Sequence, residues 1–318
     1  MYAVLAGGIG AARFLGGLVR VVDPSELAVV GNVGDDIVLH GLHVSPDLDT
    51  IVYTLAGAVH PAQGWGRAAE TFHVTEELER YGSPTWFTLG DRDLAIHLVR
   101  TERLRAGVPL SEVTDQITRS WGLGFRLLPA TDDRVATIVR TRDGRDLHFQ
   151  EYWVRERAAP DVESVRLEGA EAARPAPGVL EAIAGAEAVL VCPSNPVVSI
   201  GTILAIPGIR EALLTTPAPV VGVSPIVGGA VVRGMADRLL PSAGAEVSAL
   251  GVARLYADWL DGWVVDDADA GLVPAMRELG VEVAVTDTIM RTPEVAAQLS
   301  TTVLDLVRRL RVEARTSA

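Results

Sequence analysis

Between Gly31 and Tyr53 the chain reads GNVGDDIVLHGLHVSPDLDTIVY. This stretch gathers four carboxylates, Asp35, Asp36, Asp47 and Asp49, and two histidines, His40 and His43. An apolar run, 27–30, leads in, and a helix-like run, 51–55, leads out. Carboxylates crowded between two core elements repel one another and lose hydration unless a positive group stands among them. A divalent cation carrying a phosphorylated substrate is one group that would meet this demand. Each residue also has a plainer reading. Ser45-Pro46-Asp47 has the order of an N-cap, a first-position proline and a first-turn acid, so Asp47 is expected to answer a helix dipole. Asp35-Asp36 after Gly34 suits an ordinary turn. His40 and His43, three residues apart, are a weak metal signal. Asp49 is hardest to explain by structure alone, because it lies deeper in the start of an apolar helix.

Three other stretches offer phosphate donors. The run 2–6 ends in Gly7-Gly8-Ile9-Gly10 before a helical pattern, which is a strand, a glycine turn and a helix with free amides at its start. It is a poor dinucleotide fingerprint, since Arg13 stands where a third glycine belongs and Asn32 stands where an acid would end the second strand. The apolar run 188–192 leads to Ser194-Asn195-Pro196 and Ser199-Ile200-Gly201. The run 219–223 leads to Ser224-Pro225-Ile226-Val227-Gly228-Gly229. Each turn follows a strand and precedes a helix. In a parallel sheet such turns share the carboxyl edge, where ligands bind. Three there, facing an acidic loop, suit a nucleotide diphosphate with a metal. Cys192, at a strand end, reads as a small buried residue. Asp266, Asp267 and Asp269 read as a solvated turn.

These elements predict an α/β fold: a Rossmann-like, doubly wound, mostly parallel sheet with a largely helical insertion carrying a β-hairpin. The core is expected over residues 1–59 and 159–318, and the insertion, a cap contributing to the acceptor site, over 60–158. Within it, 135–140 and 147–150 flank Asp143-Gly144 as a hairpin, and 158–177 reads as a connector. Trp65, Trp86, Trp121 and Trp153 fall in this region as core anchors or as walls for a planar ligand.

Composition narrows the function. The formal net charge is -13, from 28 basic and 41 acidic residues, which argues against nucleic-acid and anionic-membrane partners. The chain contains no lysine, so cationic side-chain contacts to phosphate fall to arginine, and lysine nucleophiles and Walker-type lysines are excluded. A single cysteine excludes an intrachain disulfide and suits a reducing compartment. MYAVLAGGIG lacks the pattern of a secretory leader, and the expected location is cytoplasmic.

The stretches LAGGIGAARFLGGL, VVGNVGDDIVLHGLHVSPDLDTIVYTLAG, FTLGDRDLAIHLVRTERLRAG, CPSNPVVSIGTIL and SPIVGGAVVRGMAD together resemble the phospholactate transferase family of deazaflavin coenzyme biosynthesis (CofD, called FbiA in actinobacteria). The resemblance implies transfer from a guanosine-diphosphate-linked donor to the ribityl hydroxyl of 7,8-didemethyl-8-hydroxy-5-deazariboflavin. GMP leaves, and (dehydro) coenzyme F-420-0 forms. Archaeal relatives use a 2-phospho-L-lactyl donor and actinobacterial ones a phosphoenolpyruvyl donor. The arginine-only composition and WGRAAETFHVTEEL favour the latter. This transfer chemistry fits the acidic loop, where Mg2+ is expected among Asp35, Asp36 and Asp49 and a catalytic role is expected of Asp49 and Asp36. The resemblance implies an acceptor held by Asp49 and Arg92. Guanine-nucleotide contacts are implied from Gly8, Gly10, Ser194, Asn195, Ser199, Gly201, Ser224, Pro225, Gly228 and Gly229. A homodimer is implied as well.

Two other classes compete. One is a regulator of similar fold that binds nucleotide sugars without chemistry. It resembles this chain less at the decisive place, where the long HGLHVSPDLDT segment follows the second strand. The other is an NAD-linked oxidoreductase, disfavoured by the defective glycine fingerprint.

Overall fold

The computed structural model describes residues 1–317, with side chains to residue 312. Along the chain, β1 (Tyr2–Ala6) runs into α1 (Gly8–Leu18), and β2 (Leu27–Gly31) leads to the hairpin of β3 (Ile37–Leu39) and β4 (Leu42–Val44) before α2 (Pro46–Leu55). Helices α3 (His73–Arg80), α4 (Asp93–Arg105) and α5 (Leu110–Ser120) lead to β5 (Arg126–Pro129). Strands β6 (Ala136–Thr141), β7 (Asp146–His148) and β8 (Val162–Glu168) form a separate antiparallel sheet. The chain then supplies β9 (Ala188–Val191), β10 (Val220–Val223), the short hairpin β11 (Ile226–Val227) and β12 (Ala230–Val231), then β13 (Gly262–Val265) and β14 (Glu282–Val285). A long helix, Pro293–Ser317, closes the chain.

Seven strands form the central sheet in the order β14-β13-β10-β9-β1-β2-β5, and every pairing in it is parallel. The chain winds outward in one direction from β1 through β2 to β5 and in the other from β9 to β14. The reversal between β1 and β9 is a topological switch point, the place where such sheets bind ligands. The fold expected from sequence is therefore present.

Burial explains why the strands are continuous apolar runs. Alternate side chains point to opposite faces, and both faces are covered. Val4, Val29, Leu190, Val221 and Val264 pack with Leu15, Leu18, Leu299 and Val303 on one side. Leu5, Val30, Val191 and Val265 pack with Ile183, Ile203, Ile209 and Val252 on the other. Each fully buried aliphatic side chain contributes roughly 1.5–3 kcal/mol relative to exposure.

Four local expectations change. The span 60–158 contributes β5 to the edge of the central sheet, in register with Ala28 through Gly31 of β2. The sheet therefore draws on the stretch read as an insertion. The segment read as a connector contains β8, which pairs along β6, because its residues alternate between exposed and half-buried as an edge strand does. The acidic stretch is not an open loop: Ile37–Leu39 and Leu42–Val44 pair, and His40 and Gly41 form the two-residue turn, both at positive φ. Asp266 and Asp269 are buried rather than solvated, for the reason given below. Among the described residues no single helix is long and apolar enough to cross a membrane.

Candidate active site

The turns after β1 and β9 lock together at the switch point. The Gly7 N–H donates to Ser194 Oγ at 3.1 Å. A methyl group on Gly10 would lie 2.2 Å from the Pro193 carbonyl oxygen, a distance no Cβ tolerates, so Gly10 is required by close approach of two backbones. Asn195 caps the helical turn that follows, its Oδ1 accepting from the amides of Val197 and Val198.

Asn32, where an acid would stand in a dinucleotide fold, ties three elements. Its Nδ2 donates to Asp47 Oδ2 at 2.9 Å and to the Val198 carbonyl at 3.2 Å, while its Oδ1 accepts from the Gly34 amide at 2.9 Å. This frame holds Asp47, at the start of α2, beside the glycine turn: a methyl on Gly7 would lie 3.0 Å from Asp47 Oδ2. Burial raises the Asp47 carboxyl to about 6, and the charge of Asp36 adds to the rise. Asp35 is driven the same way, well above the ordinary carboxylate range, by burial and by the charge of Asp47. Asp35 Oδ1 is buried without a hydrogen-bond partner among the described residues.

The other two carboxylates are held by protein groups, although Asp36 Oδ1, like Asp35 Oδ1, is buried without a hydrogen-bond partner among the described residues and burial raises the Asp36 pKa as well. Asp36 Oδ2 lies 2.9 Å from His43 Nε2 and accepts from Ser45 Oγ at 2.7 Å, so the Ser45 hydroxyl serves Asp36 rather than capping α2. Asp49 is gripped by both terminal nitrogens of Arg100, with Nη1 donating to Oδ2 at 3.0 Å and Nη2 donating to Oδ1. Arg100 is 1% exposed, and the pairing with Asp49 outweighs burial to raise its pKa. His97 lies between carboxylates, 3.7 Å from Asp49 and 3.4 Å from Asp93, and Tyr53 Oη donates to Asp93 at 2.6 Å. Burial opposes the charge on Asp93, but the contacts with His97 and Tyr53 win and lower its pKa. α2 and α4 are thus joined by a buried network in which the acids have partners.

A cleft of about 810 Å³ opens over this edge. Asp35, Asp47 and Asp49 reach it, together with Gly8, Gly10, Ser194, Asn195, Ser199, Ser224 and Pro225. Aromatic side chains also line it, with Trp65, Phe72 and Trp153 at 46%, 43% and 40% exposed. Arg67 enters it stacked on Trp121, 5.0 Å from that ring and 5.7 Å from Tyr53.

Some candidates are not brought to the cleft. Asp36 lies behind it on His43 and Ser45. Arg92 is exposed at the start of α4, its amide donating to Glu70, and it does not line the cleft. Gly201 packs against Pro196, where a methyl would lie 2.8 Å from the carbonyl oxygen. Gly228 and Gly229, at φ 56° and 78°, form the two-residue turn of the β11–β12 hairpin. Asp269 Oδ2 accepts from the Gly228 amide at 3.0 Å, and Asp266 accepts from the amide and hydroxyl of Thr288, which explains their burial. His40 is exposed at its turn, and Cys192 is buried, with its thiol pKa pushed up by burial.

Sequence reasoning missed Arg13, Arg67, His97, Arg100 and Arg233, and it set Asp47 aside as a helix-start acid. Asp93, His97 and Arg100 stand at positions i, i+4 and i+7 of one helix, a polar stripe that spacing alone reveals. Arg13 was visible as the residue that spoils the glycine fingerprint. No local pattern marks Arg67 or Arg233. Among the described residues no group of three or more His, Cys, Asp or Glu side chains is placed to hold a metal unaided.

The sequence is similar to those of relatives over nearly their whole length. A protein of Kitasatospora aureofaciens called phosphoenolpyruvate transferase is 55% identical over 313 residues, covering 96% of this chain and 98% of that protein. Proteins of the same name from Streptomyces coelicolor and Thermobifida fusca are each 54% identical, covering 97% of this chain and 98% of theirs. The crystal structure of a UPF0052 family protein from Bacillus halodurans has the same fold, with a TM-score of 0.64 at 16% identity over 95% of this chain and 98% of that one. Residues 3–302 match the family model described as 2-phospho-L-lactate transferase CofD, and the chain belongs to that family.

Proposed function

We propose that the chain transfers a phosphoenolpyruvyl group, or a 2-phospho-L-lactyl group, from a guanosine-diphosphate-linked donor to the ribityl hydroxyl of 7,8-didemethyl-8-hydroxy-5-deazariboflavin. Family membership makes it a transferase of this phosphoenolpyruvyl/phospholactyl class. The observation that carries the finer reading is the pairing of Asp35 and Asp47 against the amide-bearing turns at the switch point. In the reaction the acceptor hydroxyl loses its proton to water as its oxygen bonds to the phosphorus bearing the organic acid, the bond from that phosphorus to the GMP oxygen breaks, and GMP leaves with the electron pair.

Mg2+ fits the pair. One carboxylate has an orphaned oxygen, both resist ionisation when no cation is present, and Mg2+ is commonly held by one or two carboxylates plus substrate phosphates. When bound it supplies neutralisation of phosphate charge. The ligand set becomes Asp35 and Asp47, because Asp36, though its Oδ1 is also unpartnered, does not line the cleft and holds His43 and Ser45 through Oδ2, and Asp49 is held by Arg100. The amides of Gly8 and Gly10 and the hydroxyl of Ser199 receive phosphate oxygens. Asp49, fixed by Arg100, keeps lone pairs towards the cleft and orients the acceptor hydroxyl. Phosphoryl transfer of this kind depends mainly on alignment and charge stabilisation, which suits residues held so rigidly. The aromatic wall stacks the deazaflavin ring. We further propose a cytoplasmic homodimer with no nucleic-acid or membrane partner and an enolpyruvyl donor.

Incubation with the deazaflavin, Mg2+ and each donor, with GMP followed by chromatography, tests this reading. GMP is expected to appear in step with loss of acceptor and faster from the enolpyruvyl donor. No release from either donor would contradict it.

A further inference from the structure

Two arginines in the cleft stand apart from the carboxylate pair and have no partner of opposite charge. Arg13 lies on α1, five residues past Gly8 and so about 7.5 Å further along the axis. Arg233 lies on the segment after β12. Both line the cleft. They bracket the same glycine: a methyl on Gly64 would lie 3.1 Å from Arg233 Nη1 and 3.7 Å from Arg13 Nη2. Gly64 is at φ 71°, and that turn lets the backbone lie close against both guanidinium groups.

Arg233 donates through Nη2 to the Gln63 carbonyl, which joins two cleft segments 170 residues apart. Burial and the charge of Arg13 together lower the Arg233 pKa. Both side chains are exposed to solvent in the cleft; among the described residues Arg13 makes no hydrogen bond or ion pair, and Arg233 meets no carboxylate. Two like charges held side by side, one of them partly desolvated, favour an anion placed between them. In a chain of net charge -13 with acids to spare, neither arginine is neutralised from within.

We infer that Arg13 and Arg233 form a clamp for the carboxylate of the donated organic acid. The inference rests on the transferase reading above and adds the element that recognises the donor. The phosphates are served by the glycine turn and the Asp35–Asp47 pair. In an enolpyruvyl or lactyl phosphate the carboxylate is attached to the carbon that bears the phosphoester oxygen, so its site must adjoin the phosphate site. Arg13 lies nearly one and a half turns along the same helix, and Arg233 meets it at Gly64, where an added methyl would also lie 3.2 Å from Ile9 Cγ2 of the glycine turn. Guanidinium forks match carboxylates in a bidentate manner. Such a clamp reads charge and shape at the carboxylate, not saturation at the neighbouring carbon. It separates acid-bearing donors from GDP and from nucleotide sugars, and it leaves the choice between enolpyruvyl and lactyl to other contacts.

The test compares wild-type protein with R13Q, R233Q and R233K. Calorimetry measures binding of GDP and of the enolpyruvyl donor, and turnover gives KM and kcat. GDP affinity is expected to stay within about twofold, which also reports folding, while each glutamine variant weakens donor binding by roughly tenfold or more, as loss of a charge-assisted contact does. R233K is expected to fall between, because it keeps the charge and loses the fork. Equal loss of GDP and donor affinity would overturn the clamp in favour of a phosphate contact, and unchanged donor affinity would overturn it outright. A wild-type protein that binds the donor but releases no GMP would contradict the transferase reading, while its calorimetric comparison with the variants still decides the clamp.

Discussion

Asp47 shows how one side chain reports both its environment and its task. Its raised pKa means that the folded chain holds the proton more tightly than the unfolded chain does. Metal-free protein is therefore most stable below about pH 4 with respect to this group. It loses stability as pH rises from about 4 to about 6, by on the order of 3 kcal/mol, and the loss levels off above that. Asp35 acts in the same direction. Thermal denaturation of metal-free wild type and D47N at pH 5 and pH 7.5 checks this. D47N is expected to lose less stability between the two values. Parallel losses would show that Asp47 ionises without strain. The sequence disclosed the four carboxylates but not their division of labour. Charge and spacing are readable in one dimension, whereas the partners that satisfy Asp36 and Asp49 come from His43 in a hairpin and Arg100 in a distant helix.

At the scale of elements, the active edge depends on two joints. One is the ion pair that fastens α2 to α4. R100M leaves Asp49 buried without its counter-charge, which is expected to cost about 3–5 kcal/mol, with partial recovery in D49N/R100M. Urea denaturation of R100M, D49N and D49N/R100M measures this, and simple additivity would show that the pair is not coupled. The other joint is the interlock of the β1 and β9 turns. G10A places a methyl against the Pro193 carbonyl oxygen, so the turns must separate. Weaker GDP binding and a lower melting temperature are expected, and wild-type values for both would contradict the interlock. Strands β1, β2, β9, β10 and β13 were legible because buried parallel strands leave continuous apolar runs, and β14, at the sheet edge, because its centre is apolar. β5 and β8 were not. β5 is short and begins at an exposed arginine, and β8 is an edge strand rich in charge, so neither leaves an apolar signature. Gly228 and Gly229 misled for a related reason. A two-glycine hairpin turn and a phosphate loop ask for the same residue.

Across the whole molecule, a parallel sheet reverses direction between β1 and β9, and every group assigned to phosphate, metal or acceptor converges on that reversal from segments far apart in sequence. The family and fold were readable because several motifs keep their order along the chain. The arginine clamp and the buried network were not, since each is assembled only when loops from separate elements meet. The transfer site proposed above is built on the Asp35–Asp47 pair. Anomalous diffraction from crystals soaked with Mn2+ and GDP tests it most directly. A single peak between Asp35 and Asp47, adjoining the diphosphate, is predicted; a peak at Asp36 and His43 or at Asp49, with none at the pair, would contradict it.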